Sequence, residues 1–367
     1  MKLIKNANIF GETKADILIG YDRIVYIGEI AENFLPDVEI IDAKNKIVIP
    51  SYIDQHVHVT GGGGEGSFKT RCPELFISDI VKSGVSTIVG VLGTDGYTRS
   101  VENLVAKTKA LKEEGFHAYC LTGSYSYPSI TITGSVEHDI IFIDEVIGVK
   151  IAVEDHRSSH IGYDELKRLA AQARLAGLVG GKVGEVHVHM GAGKHGLDIL
   201  FELVEKENIP ITVFRPTHLG NRMDEAIKFA NLGGFIDFTT GTNVKETAKQ
   251  IITAMENAPL EKITISSDSN GSMPIWNDKK EMIGIGIGRM TTIHDTIKEL
   301  IKNHGLTIRE AIRFVTENVS KALNFYPAVG VLQKNSYADL LILDKDLNIE
   351  KFICKGKVMT GESTFNL

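Results

Sequence analysis

The chain has 367 residues, of which 43% are hydrophobic and 24% are charged, and its net charge is −7. This composition is typical of a globular protein, and the length suits an α/β barrel with a small added domain. Acidic and basic residues are interspersed, which is unlike a nucleic-acid-binding protein, and no run of about 18 apolar residues exists to cross a bilayer. We therefore expect neither a nucleic-acid nor a membrane partner.

The three cysteines, Cys72, Cys120 and Cys354, stand far apart in the sequence. An odd and sparse count without paired metal-ligand spacing indicates buried thiols in a reducing compartment rather than disulfides. The first six residues are too few and too polar to form a signal peptide. The sequence therefore predicts a cytoplasmic protein.

Both ends of the chain are rich in short strands. The first 50 residues show apolar runs separated by turns, without a helical period, and similar runs return near the C-terminus. The predicted strands are 3–9, 16–19, 24–27, 39–41, 46–49, 330–332, 338–343 and 352–357. We predict that residues 1–50 and 328–367 together form one small β-sandwich domain.

The middle of the chain, residues 51–327, alternates short apolar strands with amphipathic helices. Eight buried strands that alternate with helices predict a (β/α)8 TIM barrel in the α/β class. Thr307 and Glu310 form a capping box, which predicts a last helix running towards Leu323. The predicted strands are 53–58, 87–92, 118–122, 148–152, 186–189, 211–214, 235–239 and 263–267, and the predicted helices include 101–114, 163–176, 199–207 and 245–256.

His56 and His58 are two residues apart on the first predicted barrel strand. Alternation along a strand puts both side chains on one face, and that face meets the barrel mouth, where barrel active sites lie. Two unrelated histidines would produce the same pattern. The pair alone is therefore a weak indication of a metal site.

Four further residues follow at the ends of later predicted strands: Lys150, His189, His218 and Asp268. A lysine inside an apolar strand is costly to bury as a cation. Either a carboxylate pairs with it, or its neutral amine reacts with CO₂ to form a carbamate that can bridge two metals. Imidazole and carboxylate ligands without thiolates suit Zn²⁺.

This order of residues resembles the amidohydrolase superfamily, whose members carry a binuclear metal centre bridged by a carboxylated lysine. Local strings are also similar to the isoaspartyl (β-aspartyl) dipeptidase family, and the resemblance covers essentially the whole chain. These strings are residues 54–58, 61–65, 92–95, 121–125, 131–135, 155–158, 216–218, 267–272 and 338–341.

The resemblance implies two zinc ions per subunit. A hydroxide shared by two zinc ions is a nucleophile at neutral pH, and the resemblance makes Asp268 the base that takes its proton and passes it to the leaving amine. Asp268 in a merely structural turn is the alternative. The implied ligands are His56 and His58 for one zinc, His189 and His218 for the other, carboxylated Lys150 as the bridge, and Asp268 on the first zinc.

The implied substrate is a dipeptide in which aspartate is linked through its side-chain carboxyl, so that it carries one ammonium and two carboxylates. The resemblance assigns the ammonium to Glu65 and the developing charge on the scissile carbonyl to Tyr125. The carboxylates would meet backbone N–H groups, hydroxyls and guanidinium groups. These contacts are assigned to Gly63, Thr94, Ser272, Arg157 and Arg222.

Several of these assignments have alternatives. Arg157 also fits an ion pair with Glu154 or Asp155, and Arg222 stands one residue farther from His218 than the family pattern has it. Other amidohydrolase activities, dihydroorotase-like or deacetylase-like, and a catalytically inactive scaffold are competing hypotheses. The resemblance further implies a homo-oligomer, an octamer.

The other histidines match no implied ligand. His187 shares by alternation the face of His189. Five others lie in predicted loops or helices and are expected to be solvated: His156, His160, His195, His294 and His304.

Overall fold

The computed structural model describes residues 1–31, 37–241, 243–277 and 282–361. In chain order, the N-terminal part contains only strands among the regular elements described. Alternating buried and exposed residues make them strands with one apolar face. They are β1 (Lys2–Ile9), β2 (Thr13–Gly20), β3 (Arg23–Gly28), β4 (Glu39–Asp42) and β5 (Ile47–Pro50).

The middle of the chain alternates strands and helices. The strands are fully or almost fully buried, as expected of parallel strands covered on both faces. In chain order the elements are β6 (Tyr52–Val57), α1 (Ile77–Ser83), β7 (Val85–Gly90), α2 (Val101–Glu113), β8 (His117–Gly123), α3 (Val136–Phe142), β9 (Val146–Val153), α4 (Tyr163–Gly180), β10 (Glu185–Met190), α5 (Asp198–Lys206), β11 (Phe214–Thr217), α6 (Met223–Asn231), β12 (Ile236–Thr239), α7 (Val244–Asn257) and β13 (Ile263–Ser266).

A hairpin, three helices and three strands complete the described chain. The hairpin follows the last parallel strand directly and is antiparallel. These elements are β14 (Ser272–Trp276), β15 (Met282–Ile287), α8 (Thr292–His304), α9 (Ile308–Ile312), α10 (Glu317–Ala322), β16 (Leu340–Leu343), β17 (Ile349–Cys354) and β18 (Lys357–Val358).

Strands from both ends of the chain form one eight-stranded sheet in the order β18-β17-β16-β5-β1-β2-β3, with β4 paired to β1. One face of this sheet carries its own cluster of buried side chains, among them Ile17 and Ile353. Residues on the other face, such as Leu341 and Phe352, join the main core. The predicted strand 330–332 is wrong, because this segment is a bend that leads towards β16.

The strands β6 to β11 form a parallel sheet in sequential order, and β12 and β13 form a parallel pair. Together these strands curl into a barrel in which β6 meets the segment after β13. Asp268 N, just after β13, donates to His56 O at 3.1 Å, and His58 N donates to Ser269 O at 2.9 Å. This closure brings the residue after the last strand beside the first strand.

Two predicted elements of the barrel region also differ from the observed ones. The sixth barrel strand was predicted at 211–214, whereas Ile211–Val213 is a 3-10 turn and β11 begins at Phe214. The capping box at Thr307 is present. The helix that it opens does not run on to Leu323, because the backbone at Thr316 (φ −131°, ψ −96°) interrupts it before α10.

The main hydrophobic core lies between the barrel strands and the surrounding helices. Among the described residues, no helix combines the length and the apolar character that a membrane span needs.

Candidate active site

A cavity of about 1380 Å³ opens at the carboxyl ends of the barrel strands. In a parallel barrel this end collects the loops that follow each strand, and so it gathers residues that are far apart in sequence. His56 and Lys150 lie below the cavity and are completely buried. The other predicted site residues line it: His58, Gly63, Glu65, Thr94, Tyr125, Arg157, His189, His218, Arg222, Asp268 and Ser272.

Asp268 lies against both histidines of the first strand. Its Oδ1 is 3.4 Å from His56 Nε2 and 3.1 Å from His58 Nε2, and these ligand atoms lie close enough together to hold one metal ion. Burial alone would raise the pKa of the Asp268 carboxyl. The contact with His58 and the nearby histidines and Lys150 outweigh it and lower that pKa to about 2, so the group is a carboxylate at neutral pH.

Two buried imidazole nitrogens at the site have no hydrogen-bond partner among the described residues: Nδ1 of His58 and Nε2 of His218. His218 Nδ1 is held by Thr239 Oγ1 at 2.6 Å, which leaves its buried Nε2 available as the ligand atom. A buried nitrogen without a partner is costly unless something else binds it. The free Nε2 of His218 therefore fits a metal ion, whereas His58 faces Asp268 through its other nitrogen, Nε2.

His218 and Asp268 have left-handed backbone conformations, with φ of 66° and 53°. This region is uncommon for residues other than glycine, and such strain is concentrated at functional sites. His218 directly follows β11 and Asp268 follows β13 after one residue, and both side chains line the cavity.

Lys150 is in the middle of β9, and its Nζ lies 3.2 Å from His56 Nε2. Its side chain is completely buried. Burial lowers the pKa of Lys150 to about 7 although Asp268, Asp237 and Glu185 counteract this effect. A substantial fraction of the lysine is therefore the neutral amine at neutral pH, which is the form that reacts with CO₂.

Tyr125 contacts His189 directly, with 2.7 Å between the phenol oxygen and Nδ1. Burial raises the pKa of Tyr125 well above its ordinary value, whereas Arg157 counteracts this effect. The phenol therefore keeps its proton and is a hydrogen-bond donor at the cavity wall. Burial likewise lowers the pKa of His189 to about 4, against the opposing effect of Asp155.

Glu65 stands at the cavity wall with one oxygen occupied and one free. Oε1 accepts hydrogen bonds from Ser272 Oγ and, at 3.4 Å, from Arg157 Nη1. Oε2 is buried and has no hydrogen-bond partner among the described residues. A buried carboxylate oxygen without a partner is prepared to receive a cationic group.

The guanidinium of Arg157 is held by Asp155. From the sequence alone, Asp155 was only one possible ion-pair partner of Arg157. Arg157 Nε and Nη2 donate to the two Asp155 oxygens at 2.9 and 2.8 Å. Asp155 Oδ2 also accepts from His189 Nε2 at 3.0 Å. Asp155 thus links Arg157 and His189, two predicted site residues. In the sequence, its position two residues before Arg157 was the indication of this role.

His187 is a second residue that sequence reasoning left out. It is completely buried, and its Nε2 lies 3.2 Å from His56 Nδ1. Its Nδ1 lies 3.1 Å from Glu185 Oε1. Strand alternation indicated that His187 shares the face of His189, but nothing in the sequence showed that it reaches β6.

Two predicted carboxylate-binding residues have specific surroundings. Arg222 donates to the carbonyls of Gly191 and Gly193 and to Glu225 Oε1 at 3.0 Å, so most of its donors are already used. Gly63 has φ +80°, and a side chain there would collide with the carbonyl of Thr70. Only glycine therefore allows this loop to follow the cavity wall.

The prediction that His294 is solvated is wrong. It is buried on α8, where its Nε2 lies 2.8 Å from Leu347 O and its Nδ1 lies 3.0 Å from the phenol oxygen of Tyr52. His156, by contrast, is exposed at the cavity rim.

Comparisons with known proteins agree with this architecture. The structure of β-aspartyl dipeptidase from Fervidobacterium islandicum AW-1 in complex with β-Asp-Leu has a TM-score of 0.92 and 40% identity, covering 100% of this chain and 99% of that one. A dihydroorotase from Fusobacterium nucleatum is 22% identical over 97% of this chain and 92% of its own length. N-acetylglucosamine-6-phosphate deacetylase from Pasteurella multocida shares the fold, with a TM-score of 0.64 at 14% identity.

A curled parallel α/β barrel with imidazole, carboxylate and lysine groups at its mouth defines a metal-dependent hydrolase. The family model described as "Amidohydrolase family" matches residues 47–359, and the chain belongs to that family, which has the TIM-barrel fold.

Proposed function

We propose that this protein is a zinc-dependent dipeptidase that hydrolyses β-aspartyl (isoaspartyl) dipeptides. The observation that carries the proposal is the pairing of Glu65, with its free Oε2, and Arg157 in the same cavity as the metal-ligand candidates. A zwitterionic dipeptide needs an anion for its ammonium and cations or N–H groups for its carboxylates. The similarity to a β-aspartyl dipeptidase solved with β-Asp-Leu points to the same substrate.

Two Zn²⁺ ions per subunit are the proposed cofactors. His56, His58 and Asp268 would hold one, His189 and His218 the other, and the carbamate formed from Lys150 and CO₂ would join them. When bound, these ions supply the Lewis acidity that lowers the pKa of a water molecule and polarises the amide carbonyl.

The side chains of the chain itself account for orientation and proton transfer. Glu65 Oε2 accepts a hydrogen bond from the substrate ammonium. Arg157 uses its other donors on Asp155 and Glu65, and its second Nη1 hydrogen is left to bind a substrate carboxylate. Gly63, Thr94, Ser272 and Arg222 are proposed to complete the contacts with the substrate carboxylates.

Tyr125 and Asp268 act on the scissile amide. The Tyr125 phenol donates to the carbonyl oxygen as negative charge develops there. Asp268 takes a proton from the attacking water and gives it to the amide nitrogen as the C–N bond breaks. The water oxygen stays on the aspartyl carboxyl, and the second residue leaves as an amine.

Kinetics on a small substrate panel, run with metal analysis, tests the proposal. We expect hydrolysis of β-Asp-Leu and at most slow hydrolysis of α-Asp-Leu, dihydroorotate and N-acetylglucosamine 6-phosphate. Efficient hydrolysis of dihydroorotate without cleavage of β-Asp-Leu would support the dihydroorotase-like alternative, which the 22% identical relative keeps open. A protein inactive on every substrate despite bound zinc would support the inactive scaffold.

We also propose the organisation of the protein around this site. Residues 1–50 and 328–367 would form a small β-sandwich domain, supported by the separate hydrophobic cluster in the terminal sheet. Residues 51–327 would form the catalytic barrel. A cytoplasmic location and a homo-octamer complete the proposal, and size-exclusion chromatography with light scattering tests the latter.

A further inference from the structure

Below the cavity, four completely buried side chains form a continuous row of hydrogen-bonding groups. Arg215 Nε donates to Glu185 Oε2 at 3.2 Å, and Glu185 Oε1 lies 3.1 Å from His187 Nδ1. His187 Nε2 in turn lies 3.2 Å from His56 Nδ1. The row therefore runs from a buried ion pair on β10 and β11 to the first histidine of the candidate metal site on β6.

The chemistry of the row determines where its protons lie. A carboxylate paired with Arg215 only accepts hydrogen bonds, so His187 Nδ1 must carry the proton that faces Glu185. Complete burial favours the neutral imidazole, whose Nε2 then has a lone pair. This lone pair accepts the proton on His56 Nδ1.

His56 consequently has its own lone pair on Nε2. That atom lies 3.4 Å from Asp268 Oδ1 and 3.2 Å from Lys150 Nζ, on the side where the other ligand candidates are. In the opposite tautomer of His56, the proton on Nε2 would point at the metal ion. Histidines that bind metals commonly donate their second ring N–H to an acceptor, which fixes the tautomer and the ring orientation.

We propose that His187, supported by Glu185, is a positioning residue for the metal centre: it holds the His56 proton on Nδ1 and so presents Nε2 to the metal ion. This inference rests on the proposed function, because it takes His56 as a metal ligand.

A purely structural role is a poor explanation of this row. Buried ion pairs such as Glu185 and Arg215 contribute little net stability compared with apolar side chains of similar size. The far end of the row is nevertheless anchored, since Arg215 Nη2 donates to Ala322 O at 2.7 Å. The anchor holds the carboxylate that sets the orientation of the His187 proton.

The test compares His187→Phe with His187→Gln. Phenylalanine keeps the ring volume and removes the acceptor, whereas the glutamine carbonyl can accept from His56 Nδ1. Zinc affinity is measured on metal-free protein by competition with a chromophoric chelator. We expect His187→Phe to bind zinc about 10- to 100-fold more weakly, and His187→Gln to remain within about threefold of the wild type, well below the tenfold that corresponds to 1.4 kcal/mol.

Denaturant unfolding of the metal-free variants separates affinity from stability. The matched control is Phe229→Leu on α6, a completely buried residue of the main core outside the row. The inference is supported if His187→Phe binds zinc more weakly than the wild type and Phe229→Leu does not. Unchanged zinc affinity in His187→Phe, or an equal loss of affinity in Phe229→Leu, overturns it.

The zinc measurement does not depend on the substrate. A wild-type protein that binds zinc but leaves β-Asp-Leu intact would refute the proposed function, while the His187 comparison would still be decided. A wild-type protein that cleaves β-Asp-Leu, together with unchanged zinc affinity in His187→Phe, would refute the inference alone.

Discussion

Asp155 and His189 are joined by a 3.0 Å hydrogen bond between Oδ2 and Nε2. The same carboxylate binds the Arg157 guanidinium through both of its oxygens. Burial would raise the pKa of Asp155, but the bonds from Arg157 and His189 hold it far below the usual range. One side chain therefore orients both a candidate metal ligand and a candidate substrate-binding residue.

Replacing Asp155 with asparagine should weaken both functions. An amide cannot accept two bonds from Arg157 and one from His189 with the strength of a carboxylate. We expect kcat/KM on β-Asp-Leu to fall by about 10- to 100-fold, together with a lower zinc affinity. Asp144→Asn, at the exposed turn before β9, is the control, and equal activity of the two variants would contradict the role of Asp155.

Glu65→Gln should spare the metal centre and impair substrate binding. Losing a charged partner for the ammonium costs about 1.5–3 kcal/mol, which is roughly 10- to 150-fold in kcat/KM. Succinyl-leucine, which is β-Asp-Leu without its amino group, provides the control substrate. The variant should differ little from the wild type on succinyl-leucine, and an equal loss on both substrates would disprove the ammonium contact.

Lys150→Ala should lose zinc and activity, because the proposed bridge disappears. Short carboxylic acids added at high concentration should restore part of both, since their two oxygens can replace those of the carbamate. The control is Lys182→Ala, whose lysine donates to the carbonyls of Ile140, Ile143 and Val146 away from the cavity. Full zinc content in Lys150→Ala would refute the bridge.

The stability of the zinc-loaded protein should depend on His294 in acid. Burial lowers the pKa of His294 below its ordinary value of 6.5, although the bond to Leu347 opposes this. The unfolded chain therefore binds a proton more readily than the folded one, and the folded state loses stability as pH falls below 6.5. Above that pH the His294 imidazole is neutral in both the folded and the unfolded state, and its contribution to stability is constant.

Thermal unfolding of His294→Gln and wild type between about pH 8 and pH 5.5 measures this effect. Because glutamine does not titrate, the melting temperature of the variant should fall less on acidification than that of the wild type. Parallel curves would show that His294 is not the group responsible.

Much of the site was predictable because strand order and alternation are local properties of the sequence. His56 and His58 share a strand face by alternation. Lys150 and His189 lie on later barrel strands, whereas His218 and Asp268 follow such strands. A closed parallel barrel brings all of these strand ends to one mouth. The structure accordingly gathers His56, His58, Lys150, His189, His218 and Asp268 around one cavity.

Other features were not predictable, since they depend on contacts between distant segments. The helix that begins after Thr307 ends at Ile312 although its cap is present, and a 3-10 turn and the non-helical backbone at Thr316 separate it from α10. Arg222 stays a proposed substrate contact, and only the structure shows that most of its donors already bind the carbonyls of Gly191 and Gly193 and the carboxylate of Glu225.

The sequence by itself determined the barrel and the residue types that meet at its mouth, because hydrophobic periodicity and the order of the ligand candidates are written along the chain. The tertiary structure alone decided which atoms of those residues are used. Asp155 and His187 orient His189 and His56 through bonds that cross between loops and strands. Hydrogen-bond direction and burial determine proton positions, and both exist only once the barrel has closed.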